Sequence, residues 1–263
     1  MRFHFHIPQS TLRHAVDYLY FNQAKSFEMK RTALPVFHQE LVFNLGEGFE
    51  VCDFHETYNT GNYHSWLMGL HTRPVKTSVK GKHLSIGILF KPWGLYQLFG
   101  IHPSELSNNV LDSRLLLNSS LETFVKEQYD NSSPGQFLHL LEEFLVKNFP
   151  QQALRTEVIR SIDAIEGSHL QRGSIQKLSR ELNLSPKSFI QIFNKTIGLS
   201  PLQYLHLKRV HTAIGHLTQC PEKSLTSLAY ELGFYDQAHF TKMFKNFCGE
   251  TPKAFRKRQF QQG

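Results

Sequence analysis

The chain is poor in cysteine. Its 263 residues hold three, Cys52, Cys220 and Cys248. They are far apart, odd in number and form no Cys-x-x-Cys pair. That excludes a disulfide scaffold and a thiolate zinc site, and predicts free thiols in a reducing compartment. No apolar run approaches the roughly 18 residues that a membrane span needs. The N-terminal MRFHFHIPQS is polar and lacks a signal-peptide apolar stretch. A soluble cytoplasmic protein with no membrane partner is therefore expected. Glycine (16) and proline (11) are not enriched, so collagen-like and low-complexity classes drop out. Clustered metal ligands are also missing from the linear sequence. His4 and His6 share one face of a short predicted strand, but no third histidine or carboxylate stands near them. No metal, no cofactor and no catalytic residue is expected.

Acid is scarce in one half only. Residues 1–154 carry 13 Lys and Arg against 14 Asp and Glu, whereas residues 155–263 carry 16 against 8. The basic excess thus sits wholly in the last 109 residues. Such asymmetry points to a polyanion-binding half joined to a neutral half.

The length suffices for two domains with separate cores. Asn148–Gln152 marks the boundary, because Pro150 blocks continuation of the helix before it. The division is 1–150 and 151–263. In the first part, Phe3–Ile7 reads as a strand and Leu12–Phe21 as a helix. Leu41–Leu45 and Phe49–Cys52 flank Gly46-Glu47-Gly48, the pattern of a hairpin. Trp66–Leu70, Val75–Val79 and Leu84–Phe90 are further strands, with Gly61-Asn62 and Lys80-Gly81-Lys82 as turn-like breaks. The predicted architecture is a small antiparallel β-barrel or sandwich. Short helices follow at Leu95–Phe99, near Ser104, at Leu121–Gln128 and at Gln136–Phe149. The last has an apolar stripe that fits either sealing the sheet or pairing with another subunit.

The C-terminal part is helical and internally repeated. Leu154–Glu166 forms an amphipathic helix stopped by Gly167. In Ser224–Arg258, Leu225, Leu228, Ala229 and Leu232 make one apolar helix face. Gly233 then permits a tight turn that Phe234 plugs, and Asp236 caps the next helix. Phe240, Met243, Phe244 and Phe247 point inward. The spacing leaves Gln237, Ala238, Thr241, Lys242 and Lys245 outside, a face that can enter a DNA major groove. Ile175, Leu178 and Leu182 match Leu225, Leu228 and Leu232 at a shift of 50. Ser185, Phe189, Phe193, Gly198, Pro201 and Tyr204 match Asp236, Phe240, Phe244, Gly249, Pro252 and Phe255 at a shift of 51. One extra residue near Tyr235 accounts for the difference. Two copies mark a duplicated unit rather than a solenoid, which needs three or more. The helix-turn-helix units lie at about 174–196 and 224–247. A helix from Pro201 to about Leu217 links them as a rigid spacer. Two recognition helices held this way can enter successive major-groove segments about 34 Å apart.

These residues resemble the AraC/XylS family of bacterial transcription regulators. The resemblance lies in Ile175-x-x-Leu178-Ser179-x-x-Leu182-x-Leu184-Ser185, in Phe193-x-x-x-x-Gly198-x-Ser200-Pro201-x-x-Tyr204 and in Ala213. It is tighter in Leu228-Ala229-x-x-Leu232-Gly233-Phe234-x-Asp236-x-x-x-Phe240-x-x-x-Phe244-Lys245 and Gly249-x-Thr251-Pro252-x-x-Phe255-Arg256. It covers about 90 residues. The family implies an all-α domain of about seven helices with two helix-turn-helix motifs, hence an α+β chain of two domains. It also implies base-facing positions at Lys187, Ser188, Ile190 and Gln191, and at Gln237, Ala238, Thr241 and Lys242. By chemistry, Lys242 suits guanine O6/N7 or a phosphate, and Gln191 and Gln237 suit adenine N6/N7. Ala238 and Ile190 suit a thymine methyl. The first unit departs from the family, since many members place Arg where Gln191 stands, and Ile190 is apolar for an exposed site. The N-terminal part more faintly resembles a sensor domain of some members, through Leu41–Gly46, Gly69-x-x-Thr72-Arg73-Pro74 and Phe90-x-Pro92-x-Gly94-Leu95-Tyr96-x-x-Phe99-Gly100.

The function expected is sequence-specific DNA binding by a transcription regulator whose activity the N-terminal domain modulates. Double-stranded DNA is the partner. A small-molecule effector of unknown identity and a homodimer through the N-terminal domain are allowed. The alternative is a metal-dependent barrel enzyme fused to a DNA-binding module, which requires a cluster of His and carboxylate ligands. A repair alkyl-transferase requires zinc and nucleophile cysteines, and Cys52 is the only N-terminal one.

Overall fold

The computed structural model describes residues 2–47, 49–52, 57–58, 64–167, 174–220 and 222–261. Gly48 and the Gly61-Asn62 break lie outside them, as do the side chains of Cys52 and Ile175. Strands β1 (Arg2–His6), β2 (Val16–Ala33), β3 (Gln39–Asn44), β4 (Phe49–Cys52), β5 (Thr57–Tyr58), β6 (Ser65–Met68), β7 (Val75–Phe90) and β8 (Val110–Asp112) form one antiparallel sheet. Helices α1 (Gly94–Phe99), α2 (Ser120–Gln128) and α3 (Pro134–Asn148) complete the N-terminal part. Beyond them lie α4 (Thr156–Gly167), α5 (Ser174–Glu181), α6 (Pro186–Ile197), α7 (Pro201–Gln219), α8 (Leu225–Glu231), α9 (Gln237–Cys248) and α10 (Pro252–Gln261). No described helix is long and apolar enough to cross a membrane.

The sheet is built around β7. Its pairing runs β1-β2-β7-β3-β6-β8, with β4 also on β7. Among the described residues the path does not close from β1 to β8; β7 carries β2 along one edge and β3 and β4 in succession along the other. Three expectations change here. The helix predicted over Leu12–Phe21 is a single 3-10 turn at Thr11–His14 followed by β2. Aromatic and β-branched residues favour a strand there, and Leu19 and Phe21 alternate into the core between half-exposed Tyr18 and Tyr20. The predicted break at Lys80-Gly81-Lys82 lies inside one 16-residue strand. Gly81 takes φ 100° opposite Phe27, where the register slips by one extra residue on β2 between Ala24 and Phe27, so it flanks a bulge rather than making a turn. The predicted β3–β4 hairpin is not a hairpin. Both strands pair in succession with β7, β3 along Ser85–Phe90 and β4 along Lys76–Val79. Gly46 serves close approach instead: a Cβ there would lie 2.4 Å from the Lys82 carbonyl oxygen.

α3 seals the sheet. Phe137, Leu138, Leu141 and Leu145 are buried in one cluster with Leu19, Phe21, Leu41, Ile86 and Ile88. Ser133 starts α3 with a reciprocal capping box to Gln136. Glu142 leaves the apolar stripe and clamps the β1 exit. Its Oε1 accepts from Gln9 N (3.0 Å), Ser10 N (2.9 Å) and Ser10 Oγ (2.5 Å), and Oε2 meets His6 Nε2. Burial alone would raise its carboxyl, but the bonds from Ser10 and His6 hold it below the usual range.

The helical part has its own cluster, from Val158 on α4 to Phe255 on α10, and this cluster takes in Leu70 from the N-terminal part. The seam between the two parts is polar at its centre. Gln39, fully buried, donates from Nε2 to the Ile197 carbonyl at the end of α6 (3.2 Å), and its Oε1 accepts from Leu95 N on α1 (3.3 Å). Ser107 Oγ donates to the Gly198 carbonyl. The Phe37 ring centroid lies 4.8 Å from that of Tyr204 on α7, and Lys208 Nζ sits over the Phe37 ring, 5.5 Å from its centroid. Gln39→Ala would strand the Ile197 acceptor and the Leu95 donor. A loss of about 1–3 kcal/mol in the full chain is expected from such buried unsatisfied groups, measured by urea unfolding; an unchanged midpoint would show that water replaces the amide.

Candidate nucleic-acid interface

Two helix pairs, α5–α6 and α8–α9, are built from the same local parts. Each first helix ends in a left-handed residue, Asn183 at φ 55° and Gly233 at φ 75°. Asn tolerates that region better than most side chains, so the first turn works without glycine. The following amide then reaches back: Leu184 N donates to Ser179 O (3.0 Å) and Phe234 N to Ala229 O (2.9 Å). Ser179 and Ala229 are both fully buried, and only small side chains let the second helix sit this close. The second helices start on caps at matched sites. Ser185 Oγ accepts from Ser188 N (3.1 Å), and Asp236 Oδ1 from His239 N (2.7 Å). They stop at Gly198 (φ 93°) and Gly249 (φ 78°).

Aromatic packing repeats as closely. Phe189–Phe193 and Phe240–Phe244 meet edge-on at 5.9 and 5.8 Å. Phe193–Tyr204 and Phe244–Phe255 do so at 5.5 and 5.6 Å. These rings fill the inner side of α6 and α9 and so fix which side faces out.

The outward residues are those expected, with two qualifications. Lys187, Ile190 and Gln191 on α6 are exposed, as are Gln237, Ala238 and Lys242 on α9; Ser188 and Thr241 are half-buried. Ile190 is 43 % exposed, an apolar side chain left in water. Ser188 Oγ sits 2.9 Å from Ser185 Oγ, inside the cap. Gln237 Oε1 accepts the Thr226 hydroxyl of α8 (2.6 Å). Bidentate adenine contact uses that same oxygen, so the Thr226 hydroxyl would share it and fix the orientation of the amide. Sequence reasoning missed this bond because it joins two helices 11 residues apart.

It also missed a polar knot between α7 and the second pair. Arg209 is 9 % exposed, with its guanidinium 5.4 Å from the Phe234 ring. His206 lies one turn earlier on α7, its ring 6.4 Å from that of His239. The three-residue spacing of His206 and Arg209 is visible in the sequence and marks one helix face. Burial first, then the charges of Arg209 and His239, push the His206 imidazole down to about 4.

A different cluster lies in the N-terminal part. His6, His139 and Glu142 bring one ligand-capable atom each within 4.8 Å of one another. The sequence hides it because 133 residues separate His6 from His139.

Residues 178–258 match a family described as a helix-turn-helix domain, and residues 4–112 match a domain of unknown function. An HTH-type transcriptional regulator of Haemophilus influenzae is 36% identical over 83 residues, covering 32% of this chain and 28% of that protein. The Msm operon regulatory protein of Streptococcus mutans is 30% identical over 123 residues, covering 45% of this chain and 43% of its own. The chain thus spans less than half the length of these curated relatives. A crystal structure of apo ToxT from Vibrio cholerae is 13% identical with a TM-score of 0.49, covering 91% of this chain and 97% of that one. Residues 178–258 thus fall in the class of helix-turn-helix domains. Within it, the C-terminal region is similar to the helix-turn-helix domains of AraC-type regulators. The named relatives are transcriptional regulators and not enzymes.

The His206 environment predicts acid sensitivity. A lowered folded value means that the unfolded chain, at about 6.5, binds the proton first. Stability is whole above that value and falls as pH drops from about 6.5 towards 4. The melting temperature should decline over this window, and His206→Gln should flatten the decline; a parallel pH curve for the variant would rule His206 out.

Proposed function

We propose that the chain is a sequence-specific DNA-binding transcription regulator. In this reading α5–α6 and α8–α9 are two helix-turn-helix motifs, and α6 and α9 are recognition helices. The observation that carries it is the duplicated construction of the two pairs. Caps, left-handed turn residues, cross-turn bonds and ring contacts recur at matched positions, each pair turning an exposed face outward. The +8 balance of residues 155–263 suits a phosphate backbone. α7, with 19 residues at 1.5 Å each, gives a spacer of roughly 28 Å, compatible with entry into successive major-groove segments.

Residues 151–263 serve in this reading as the DNA-binding domain and residues 1–150 as a sensor or dimerisation domain, in the cytoplasm. Modulation needs an effector or a second copy with different affinity for two states of the N-terminal part. The bonds from Gln39 to the Ile197 carbonyl and from Ser107 to the Gly198 carbonyl offer such a state a physical lever on α6. Lys187, Ser188, Ile190, Gln191, Gln237, Ala238, Thr241 and Lys242 are the proposed groove-facing residues. Of these, Lys242 is free to donate to guanine. Gln191 and Ile190 offer one adenine contact and one thymine-methyl contact, so the first unit reads fewer bases by hydrogen bonds.

In-vitro selection of duplex DNA by the full chain should yield a motif with two blocks about one helical turn apart. Affinity should fall steeply with salt. Lys242→Ala should cost about 1–3 kcal/mol and relax preference at one position of the second block. Selection of no motif would sink the reading; an equal loss on all sequences would reassign Lys242 to a phosphate.

A further inference from the structure

Glu142 is a buried carboxylate on the core-facing side of α3, with its side chain 7% exposed. One oxygen, Oε1, is fully engaged by the three donors of Gln9 and Ser10. This fixes the carboxylate plane and leaves Oε2 aimed at the end of β1. There it meets His6 Nε2, itself only 15% exposed. One turn before Glu142 on the same helix stands His139, exposed, with its ring centroid 4.4 Å from that of His6. Three residues from two elements therefore converge on one point. The i,i+3 spacing of His139 and Glu142 is what puts both on the β1-facing side of α3. A core-facing carboxylate that only terminated the β1 turn would need Ser10 and Gln9. It would need neither of two imidazoles.

We propose that His6, His139 and Glu142 form a binding site for a divalent transition-metal cation of the zinc type. Two imidazole nitrogens and one carboxylate oxygen are borderline donors that suit zinc and its neighbours and disfavour magnesium or calcium. Three protein ligands leave a further position open, and the exposed edge at His139 supplies water to it and a path for the ion. The ion takes the place of the hydrogen bond between His6 Nε2 and Glu142 Oε2. Any proton held in that bond passes to solvent, and the two atoms separate to about 3.3 Å, the spacing of two donors around a tetrahedral ion at about 2.0–2.1 Å. β1 can follow, because among the described residues it is paired only on its β2 side. The hydrogen bonds to Oε1 act as the outer layer that orients a metal-binding carboxylate. The bound ion would tie edge strand β1 to α3.

The test uses the full chain, stripped with a chelator and titrated with zinc chloride by calorimetry, with thermal melting in parallel. His139→Ala is the informative variant, because its ring is exposed and, among the described residues, lies against His6 without a side-chain hydrogen bond. His14→Ala, an exposed histidine elsewhere, is the control for scattered surface binding. The expected result is one tight equivalent in the parent and in His14→Ala. In His139→Ala, affinity should fall at least about 10-fold, and the zinc-dependent rise in melting temperature should disappear. Equal zinc affinity in His139→Ala, or no saturable equivalent in the parent, would overturn the site. Glu142→Gln should lose zinc binding and also melt lower without zinc, whereas His139→Ala should melt unchanged without zinc. That difference separates ligation from folding.

Discussion

A helix can present the same face every time only if its angle to its neighbour is fixed. Here one backbone bond fixes that angle, and it is used twice. The amide after the left-handed residue reaches back five residues, from Leu184 to Ser179 and from Phe234 to Ala229. The bond is possible because the residue it reaches is small and buried. It requires the turn residue to adopt positive φ. It also leaves the next side chain, Leu184 or Phe234, to plug the gap. Everything outward of the turn follows: the cap, the buried rings, and finally the outward side of α6 or α9. The chemistry of the interface therefore rests on residues that could not themselves touch a ligand.

That logic explains what was legible in the sequence. The helical pairs could be read because their determinants are local. Periodicity, a cap, a left-handed stop and a proline in the first turn all fall within a dozen residues. The same locality exposed the repeat and the single insertion at Tyr235. The sheet was less legible because its partners are distant. Gly46 and Gly81 look like turn glycines in sequence, yet one admits close backbone contact and the other a bulge, and only the β7 register tells them apart. Leu12–Phe21 misled because a short apolar run fits helix and strand alike. On α6 and α9, six of the eight residues named from sequence are exposed, and Ser188 and Thr241 are half-buried. Their internal commitments were not foreseen: Thr226 holding Gln237, Ser185 holding Ser188, and the His206–Arg209–His239 knot are side-chain facts with no sequence pattern of their own. The His6–Glu142 contact crosses 136 residues, and spacing arguments do not reach that far.

The two helical pairs are not equivalent in their surroundings. The second is braced from within the helical part, by Arg209 over Phe234 and by Arg256 donating to the Lys223 carbonyl (2.9 Å). The first packs on α7 through Phe193 and Tyr204 and is braced from outside as well. The end of α6 meets Gln39, Pro103 and Ser107, all contributed by the N-terminal part. The end of α6 is therefore tied to the sheet part by named hydrogen bonds, from Gln39 to Ile197 O and from Ser107 to Gly198 O.

Gly198 brings these threads together. Its left-handed backbone ends α6, and a Cβ there would lie 2.7 Å from the carbonyl oxygen of Pro103. One atomless side chain therefore serves a local stop and a long-range fit at once. The two halves are consequently not interchangeable parts. A chimera that joined residues 151–263 to an unrelated partner would keep its caps and rings but would leave the Ile197 and Gly198 carbonyls facing a surface shaped for something else. The seam has to be transplanted along with the helices.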